Sequence, residues 1–198
     1  EHSFPTRRSS DLFGVQRFGT VRPVTHLVGR AIVKGDLEQA VLLYIGNPSE
    51  EEDEQSRAAR EALQRDRDYA AALRDFPWKL TFERMVIGFL DRNPGDFAGA
   101  ICVLPPNLQM MFVHAYQSYL FNLILSERLR RGIPLNAPIV GDVVLPADKD
   151  GNPDHDKQVP VTKVNLDLVE RQVRDRRAFI SATLFGSESV LAEGEMGE

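Results

Sequence analysis

Proline and glycine residues divide most of this 198-residue chain into helical segments. Within each segment apolar residues recur three or four positions apart, which is the spacing of one helix face. The predicted helices cover residues 23–34, 37–45, 50–76, 81–90 and 94–103, and a longer one covers 107–131. Asp36 and Asn107 are the predicted N-caps of the second and the longest helix, because their short polar side chains can accept a backbone N–H. This region is therefore expected to fold as helices packed on one another.

The pattern changes to that of β-strands after Pro134. Strands are predicted over 139–140, 143–145, 159–164 and 179–185, with a helix from 165 or 167 to 177. The polar stretch 148–156 contains several acids but lacks the distal glutamate and the flanking helices of an EF-hand. It is interpreted as a solvated hairpin turn, so no metal site is expected.

The composition is that of a globular protein. Of the residues, 42% are hydrophobic, and the net charge is −5, which argues against nonspecific binding of polyanions. No apolar stretch is long enough for a membrane span or a secretory signal, so no membrane partner and a cytoplasmic location are expected. The single cysteine, Cys102, lies between Ile101 and Val103 and is expected to be a buried structural thiol.

The charges are unevenly distributed along the chain. The acidic run Glu50-Glu51-Glu52-Asp53-Glu54 is interpreted as the solvated start of a helix. The stretch from residue 13 to residue 35 contains no acid, and its basic residues are Arg17, Arg22, His26, Arg30 and Lys34. A local basic face is therefore compatible with the negative net charge.

The 107–131 helix has apolar residues on more than one face, which predicts a helix buried among its neighbours. Leu123 is accordingly expected to be buried. His114 lies among apolar and aromatic residues without a recognisable catalytic partner, so it is expected to be a hydrogen-bonded interior residue rather than a general base.

The run Phe13-Gly14-Val15-Gln16-Arg17-Phe18-Gly19-Thr20-Val21-Arg22-Pro23 combines residue types that suit RNA. Glycines allow a backbone that approaches a ligand closely, and aromatic rings offer faces for an unstacked base. Arg17 and Arg22 could hold phosphate groups, while Phe18 could equally be a core residue. These residue types alone do not decide between the two interpretations.

Two blocks of sequence resemble the TruD family of tRNA pseudouridine synthases, in its archaeal-type branch. The first is the run above, where the family typically has Asn-Tyr-Phe-Gly-x-Gln-Arg-Phe-Gly. The second is Phe112-Val113-His114-Ala115-Tyr116-Gln117-Ser118-Tyr119-Leu120-Phe121-Asn122, followed by Leu125-Ser126-Glu127-Arg128 and by Gly141-Asp142. The blocks occur in the same order as in the family.

The resemblance implies an α+β fold: a mostly helical TruD-type insertion domain with a small β portion, attached to an edge fragment of the catalytic domain. Residues 13–45 would belong to the catalytic domain, and 46–198 would form the insertion domain, incomplete at its C-terminus. The resemblance begins at Phe13, with Asp11 and Leu12 in place of Asn and Tyr. Residues 1–12 are therefore interpreted as a non-native or disordered segment.

The family converts a uridine in the tRNA D-arm, at position 13, to pseudouridine without metal or organic cofactor. Its nucleophilic aspartate lies in a Gly-x-Lys-Asp motif upstream of the first block, and this sequence does not contain that motif. The fragment is thus expected to be an inactive part of an isomerase, with no catalytic residue of its own. The residues expected to bind the substrate tRNA are Phe13, Gln16, Arg17, Phe18 and Arg22, and no obligate protein partner is inferred.

Two other functions remain open on the sequence. The chain could be a noncatalytic tRNA-binding module, or its helices could form a scaffold for protein interactions. Salt dependence separates RNA from protein binding, because neutralising phosphates makes the affinity fall steeply with salt.

Overall fold

The computed structural model describes residues 12–181, which form two compact units. One unit is Phe13–Tyr119, and the other contains the described residues from 120 onward together with Leu12. This division lies within the longest helix, whereas the predicted limit between catalytic and insertion domains lies at residue 45. The predicted domain assignment, including the interpretation of residues 1–12, stays a prediction, and residues 1–11 lie outside the described range.

The first unit is helical. Its helices are α1 (Thr25–Val33), α2 (Leu37–Gly46), α3 (Glu54–Asp66), α4 (Tyr69–Asp75), α5 (Thr81–Arg92), α6 (Phe97–Cys102) and the N-terminal part of α7 (Pro106–Arg130). Helix α2 packs against α1, α3, α5 and α6. The core is built from apolar side chains on these faces, and the most deeply buried are Ala40, Ile45, Ile87, Leu90, Ala100 and Ala115.

Aspartates begin four of these helices. The side chains of Asp36, Asp53, Asp68 and Asp96 each accept a hydrogen bond from the backbone N–H three residues later, at 2.8 to 3.1 Å. Such a carboxylate satisfies an unpaired N–H and lies at the positive end of the helix dipole. The predicted N-cap at Asp36 is confirmed.

Two helix boundaries differ from the prediction. The 50–76 segment is two helices, because Arg67 adopts a left-handed conformation with φ of 55° and Asp68 then caps α4. Helix α7 begins at Pro106, one residue before the predicted cap Asn107. Proline is suited to the first helical position, where its missing N–H would have no partner.

The second unit contains a three-stranded antiparallel sheet and one helix. The strands are β1 (Val143–Pro146), β2 (Val159–Pro160) and β3 (Ala178–Ser181), in the order β2-β1-β3, and α8 is Leu166–Arg174. Helix α8 covers the sheet through a small core of Val144, Val161, Val169 and Ala178. The mixed fold predicted from the sequence, mostly helical with a small β portion, is confirmed.

The strands are shorter than predicted. Residues 139–140 and 161–164 are not strands, and the predicted strand 179–185 lies partly outside the described residues. The polar stretch 148–156 does connect two antiparallel strands, β1 and β2. The Asp148 carboxylate accepts the backbone N–H groups of Asp150 and Asn152, both at 2.9 Å, which closes the turn.

Three predictions of burial are wrong. Leu123 is 46% exposed, because the buried positions of α7 follow the stripe Phe112, Ala115, Ser118, Leu125 and Arg128. His114 lies off that stripe and is exposed. Cys102, the last residue of the short helix α6, is exposed as well.

None of the helices within 12–181 is long and apolar enough to cross a membrane.

Candidate nucleic-acid interface

The segment that precedes α1, residues 13–24, forms a tight loop, here called the signature loop. It contains one turn of 3₁₀-helix, Val15–Arg17, closed by hydrogen bonds from Arg17 N to Gly14 O and from Phe18 N to Val15 O, both 3.0 Å. Gly19 has a φ of +102°, and a Cβ there would lie 2.1 Å from the Arg22 carbonyl oxygen. Only glycine fits this position, so the glycine of the motif determines the path of the loop.

Arg17 and Phe13 lie together on the accessible side of the signature loop. The Arg17 guanidinium carbon lies 5.5 Å from the centroid of the Phe13 ring, within the range of a cation–π contact. Arg17 Nε donates to Ser118 Oγ at 3.1 Å, and Ser118 Oγ donates to the His114 carbonyl oxygen at 2.8 Å. Within the described residues, the two Nη groups of Arg17 have no hydrogen-bond partner. They remain accessible to an anionic ligand.

Gln16 is exposed next to Arg17, and Phe13 is half-buried. The structure therefore brings two of the predicted binding residues, Phe13 and Arg17, into contact, and it leaves Gln16, the neighbour of Arg17 in sequence, exposed. An amide, a guanidinium and an aromatic ring can together hydrogen-bond a base edge, bind a phosphate and stack on a base.

The Phe18 ring packs against the rings of His26 and Tyr119, and the three residues form an aromatic cluster. Its ring meets those of His26 and Tyr119 edge to face, at centroid distances of 5.3 and 6.3 Å. His26 stacks on Tyr119 at 4.6 Å, and its Nδ1 is buried without a hydrogen-bond partner among the described residues. Phe18 thus packs against other aromatic rings, and its expected role in binding tRNA stays a prediction.

Arg22 binds the C-terminus of α2 instead of facing outward. Its Nε donates to the Asn47 carbonyl oxygen at 2.8 Å, and its Nη2 donates to those of Tyr44 and Leu43 at 3.0 and 3.2 Å. These carbonyls have no partner within the helix, so a guanidinium is a favourable cap. Burial lowers the pKa of Arg22 to about 10, with the nearby Arg60 charge as the second cause. In this structure Arg22 therefore caps α2, and its expected contact with RNA stays a prediction.

A second arginine, Arg60, is only 1% exposed beside Arg22. It donates to Glu52 Oε1 and Glu83 Oε1, each at 2.9 Å, and to the Ile45 carbonyl oxygen at 2.8 Å. Arg22 lies 3.6 Å from Glu52 and 3.8 Å from Glu83, so two arginines are balanced by two glutamates. The interpretation of the acidic run as solvated is wrong for Glu52. One sequence signal did indicate a buried ion pair. Arg60 lies between Ala59 and Leu63 on the apolar stripe of α3, where a cation requires an acidic partner.

In the second unit, Arg128 and Asp142 form a buried ion pair. Arg128 Nη1 and Nη2 bind the two carboxylate oxygens at 2.6 and 2.9 Å, and further donor groups of Arg128 bind the carbonyl oxygens of Pro134 and Ala137. The backbone N–H of Ile139 also donates to Asp142. Two parts of the motif quoted above, Ser-Glu-Arg and Gly-Asp, are thus joined by one contact.

Across residues 12–181, no group of three or more His, Cys, Asp or Glu side chains is placed to hold a metal ion.

The sequence model of TruD, described as tRNA pseudouridine synthase D, matches residues 3–198. The chain belongs to the TruD family. This match begins at residue 3, whereas the resemblance of the motifs begins ten residues later, at Phe13.

TruD relatives from archaea match almost the whole chain. "Probable tRNA pseudouridine synthase D" of Methanosarcina barkeri is 46% identical over 188 residues, which are 95% of this chain and 43% of the relative. The protein of the same name from Natronomonas pharaonis is 48% identical over 189 residues, 94% of this chain and 43% of the relative. The chain therefore spans less than half the length of these TruD relatives.

The fold is also that of a solved TruD structure. The crystal structure of TruD from Methanosarcina mazei superposes with a TM-score of 0.89 at 45% identity, over 94% of this chain and 43% of that one. The resemblance of the two motifs to the TruD family is thus confirmed, and so is the fold that it implied.

Proposed function

We propose that the protein containing this chain is a tRNA pseudouridine synthase and that the chain supplies part of its substrate-binding surface. The observation that carries the proposal is the signature loop, in which the Arg17 guanidinium lies over the Phe13 ring and both Gln16 and Arg17 are exposed. Its substrate is tRNA, and its reaction is the isomerisation of a D-arm uridine, at position 13, to pseudouridine. Such an enzyme acts in the cytoplasm and needs neither a metal ion nor an organic cofactor.

The reaction breaks the carbon–nitrogen bond between uracil and ribose and forms a carbon–carbon bond between the same two groups. No atom is gained or lost, so the enzyme must hold the freed base while it turns. The target nucleotide has to leave its stack to enter the site. Phe13 contacts the uracil ring, Gln16 hydrogen-bonds the base or ribose, and Arg17 pairs with a phosphate or with an active-site carboxylate.

The nucleophilic aspartate of this reaction lies in the Gly-x-Lys-Asp motif, which is absent from this sequence. We assign residues 13–45 to the edge of the catalytic domain and 46–198 to the insertion domain. Phe18 and Arg22 are assigned to holding the loop, because their side chains are taken up by the aromatic cluster and by the C-terminus of α2.

The test uses unmodified tRNA and the complete protein. Pseudouridine is detected by carbodiimide labelling followed by reverse transcription, which also locates the modified position. We expect product in the D-arm from the complete protein and none from the 198-residue chain alone. The variants Phe13→Ala and Arg17→Ala should lower kcat/KM, whereas Arg74→Ala, an exposed change outside the loop, should leave it unchanged.

Absence of pseudouridine with every tRNA tested would contradict the proposal. Product formed by the 198-residue chain alone would show that a carboxylate of this chain is the nucleophile, which contradicts the assignment of that role to an upstream motif.

A further inference from the structure

The solvent-exposed face of α1 carries two cations without acids, Arg30 and Lys34, here called the α1 basic face. They are four residues apart and so lie on the same side of the helix, about 6 Å apart along its axis. The opposite side of α1 is apolar, and Val28 and Ala31 are buried there. Both charged side chains are exposed.

Neither cation of the α1 basic face forms an ion pair within the part of the chain that the structure describes. From Phe13 to Gly35 the sequence has no acid. The next acid is Asp36, whose carboxylate accepts the N–H of Gln39 as the cap of α2. Within the described residues, neither Arg30 nor Lys34 lies within 4.0 Å of a carboxylate.

Several exposed arginines elsewhere in the chain are paired with acids, although exposed Arg74 of α4 has no carboxylate within 4.0 Å among the described residues. Arg65 lies 2.7 Å from Asp66, and Arg130 and Arg131 lie 2.6 and 2.8 Å from Glu127. A helix face that is merely solvated usually carries such mixed pairs. Arg30 and Lys34 differ in that they lie on the same side of one helix within the acid-free stretch 13–35, so they form a local positive surface on a protein with net charge −5.

The α1 basic face begins one turn after the aromatic cluster of the signature loop. His26, four residues before Arg30, stacks on Tyr119 and touches the Phe18 ring. Phe18 is the neighbour in sequence of Arg17, whose Nη groups are accessible. The loop that carries Arg17 is therefore packed against the first turn of the helix that carries Arg30.

We propose that the α1 basic face binds the phosphodiester backbone of tRNA beside the nucleotide held by the signature loop. The inference rests on the proposed function, since it takes tRNA as the ligand of that loop. Contacts of this kind neutralise phosphates and release counterions, so the salt dependence of the affinity measures how many are made.

The experiment measures the tRNA affinity of the complete protein over a range of salt concentrations, for the wild type and for the double variant Arg30→Gln, Lys34→Gln. Removing two phosphate contacts should flatten the slope of log K against log salt concentration by roughly 1.4 to 1.8. The affinity at low salt should fall at least about tenfold. In the modification assay KM should rise while kcat stays the same, because the contacts are made equally in ground and transition states.

A matched control removes the same charge elsewhere. Arg74→Gln with Lys163→Gln changes one exposed arginine and one exposed lysine outside the α1 basic face. The control should keep the wild-type affinity, slope and KM. Equal behaviour of the two double variants, or wild-type binding by Arg30→Gln, Lys34→Gln, overturns the inference. Failure of the proposed function is a separate outcome, because the wild-type protein would then form no pseudouridine.

Discussion

Helices α1 and α7 approach so closely at Gly29 and Phe112 that a Cβ on Gly29 would lie 2.0 Å from the Phe112 carbonyl oxygen. Both partners in this contact are backbone groups within helices, so neither can move aside without disturbing its helix. The contact lies about one turn from the stacked pair His26 and Tyr119, which joins the same two helices. Gly29 therefore determines how closely α1, which follows the signature loop, can approach α7.

Replacing Gly29 with alanine should destabilise the chain by about 1 to 3 kcal/mol or more, because the methyl group overpacks a contact between two backbones. Urea unfolding followed by far-UV circular dichroism measures the change. Gly88→Ala is the control: it lies within α5, and its Cβ would meet only Leu73 side-chain atoms at 3.7 and 3.8 Å. Since alanine favours helices, Gly88→Ala should be neutral or stabilising by up to about 1 kcal/mol. Equal effects of the two changes would refute the role of Gly29.

Arg17 and Arg22 belong to the same motif but should behave differently when changed. Arg22→Met removes a buried cation from a balanced cluster and should cost about 3 to 5 kcal/mol of stability. Arg17→Ala changes an exposed side chain, so its stability should shift by no more than about 0.5 kcal/mol, while tRNA affinity should fall roughly tenfold. Urea unfolding and tRNA titration of both variants measure the contrast. If Arg22→Met instead keeps its full stability and loses tRNA binding, Arg22 is a residue that binds tRNA.

The buried pair of Arg128 and Asp142 predicts a strong effect in the second unit. Asp142→Asn leaves the Arg128 charge without its partner and should cost about 3 to 5 kcal/mol. Hydrogen exchange at the Gly141 and Val161 amides, which bond across this region, should accelerate accordingly. Adding Arg128→Met should recover part of the loss, because no charge then remains buried. A loss below about 1 kcal/mol in Asp142→Asn would show that the pair contributes little.

Local rules were enough to predict most helices. The cap at Asp36 and the stop at Gly35, which has a φ of +77°, depend on residues close in sequence. Arg22 contacts the C-terminus of α2, 21 to 25 residues away, and lies near Glu83, which is farther still along the chain. The residues next to Arg22 in sequence do not indicate these partners. Glu52 binds Arg60, which is 8 residues away, and the position of Arg60 on the apolar stripe of α3 was the available signal. The sequence therefore did not predict the contacts that Arg22 and Glu52 make, and the roles of the candidate site residues in binding stay predictions.

The long helix α7 shows the same limit for apolar residues. A sequence that is apolar on several sides does not tell which side is covered, and only the packing at Phe112, Ala115 and Leu125 settles it. Leu123 is 46% exposed, so Leu123→Ala should cost less than about 1 kcal/mol. Leu125→Ala, at a buried position, should cost about 2 to 5 kcal/mol. Comparing the two variants by urea unfolding checks this directly, and a larger loss at Leu123 would contradict the observed packing.

His26 should make stability depend on pH near neutrality. Burial beside Phe18 and Tyr119 lowers the pKa of His26 below its ordinary value of 6.5, so folding favours the neutral ring. The unfolded chain then binds more protons than the folded one as the pH falls. The stabilisation from His26 is therefore fully present above about pH 6.5 and is lost as the pH falls through the lower, folded pKa.

The comparison of wild type with His26→Gln isolates this effect, because glutamine cannot titrate. The unfolding free energy of the wild type should fall more between pH 7.5 and pH 5.5 than that of the variant. Hydrogen bonds hold the carboxyl pKa values of Asp53 and Glu127 at about 2, so these groups do not contribute within this interval. Parallel pH profiles in the two proteins would mean that the His26 ring titrates alike in the folded and unfolded chain, contrary to its burial in the aromatic cluster.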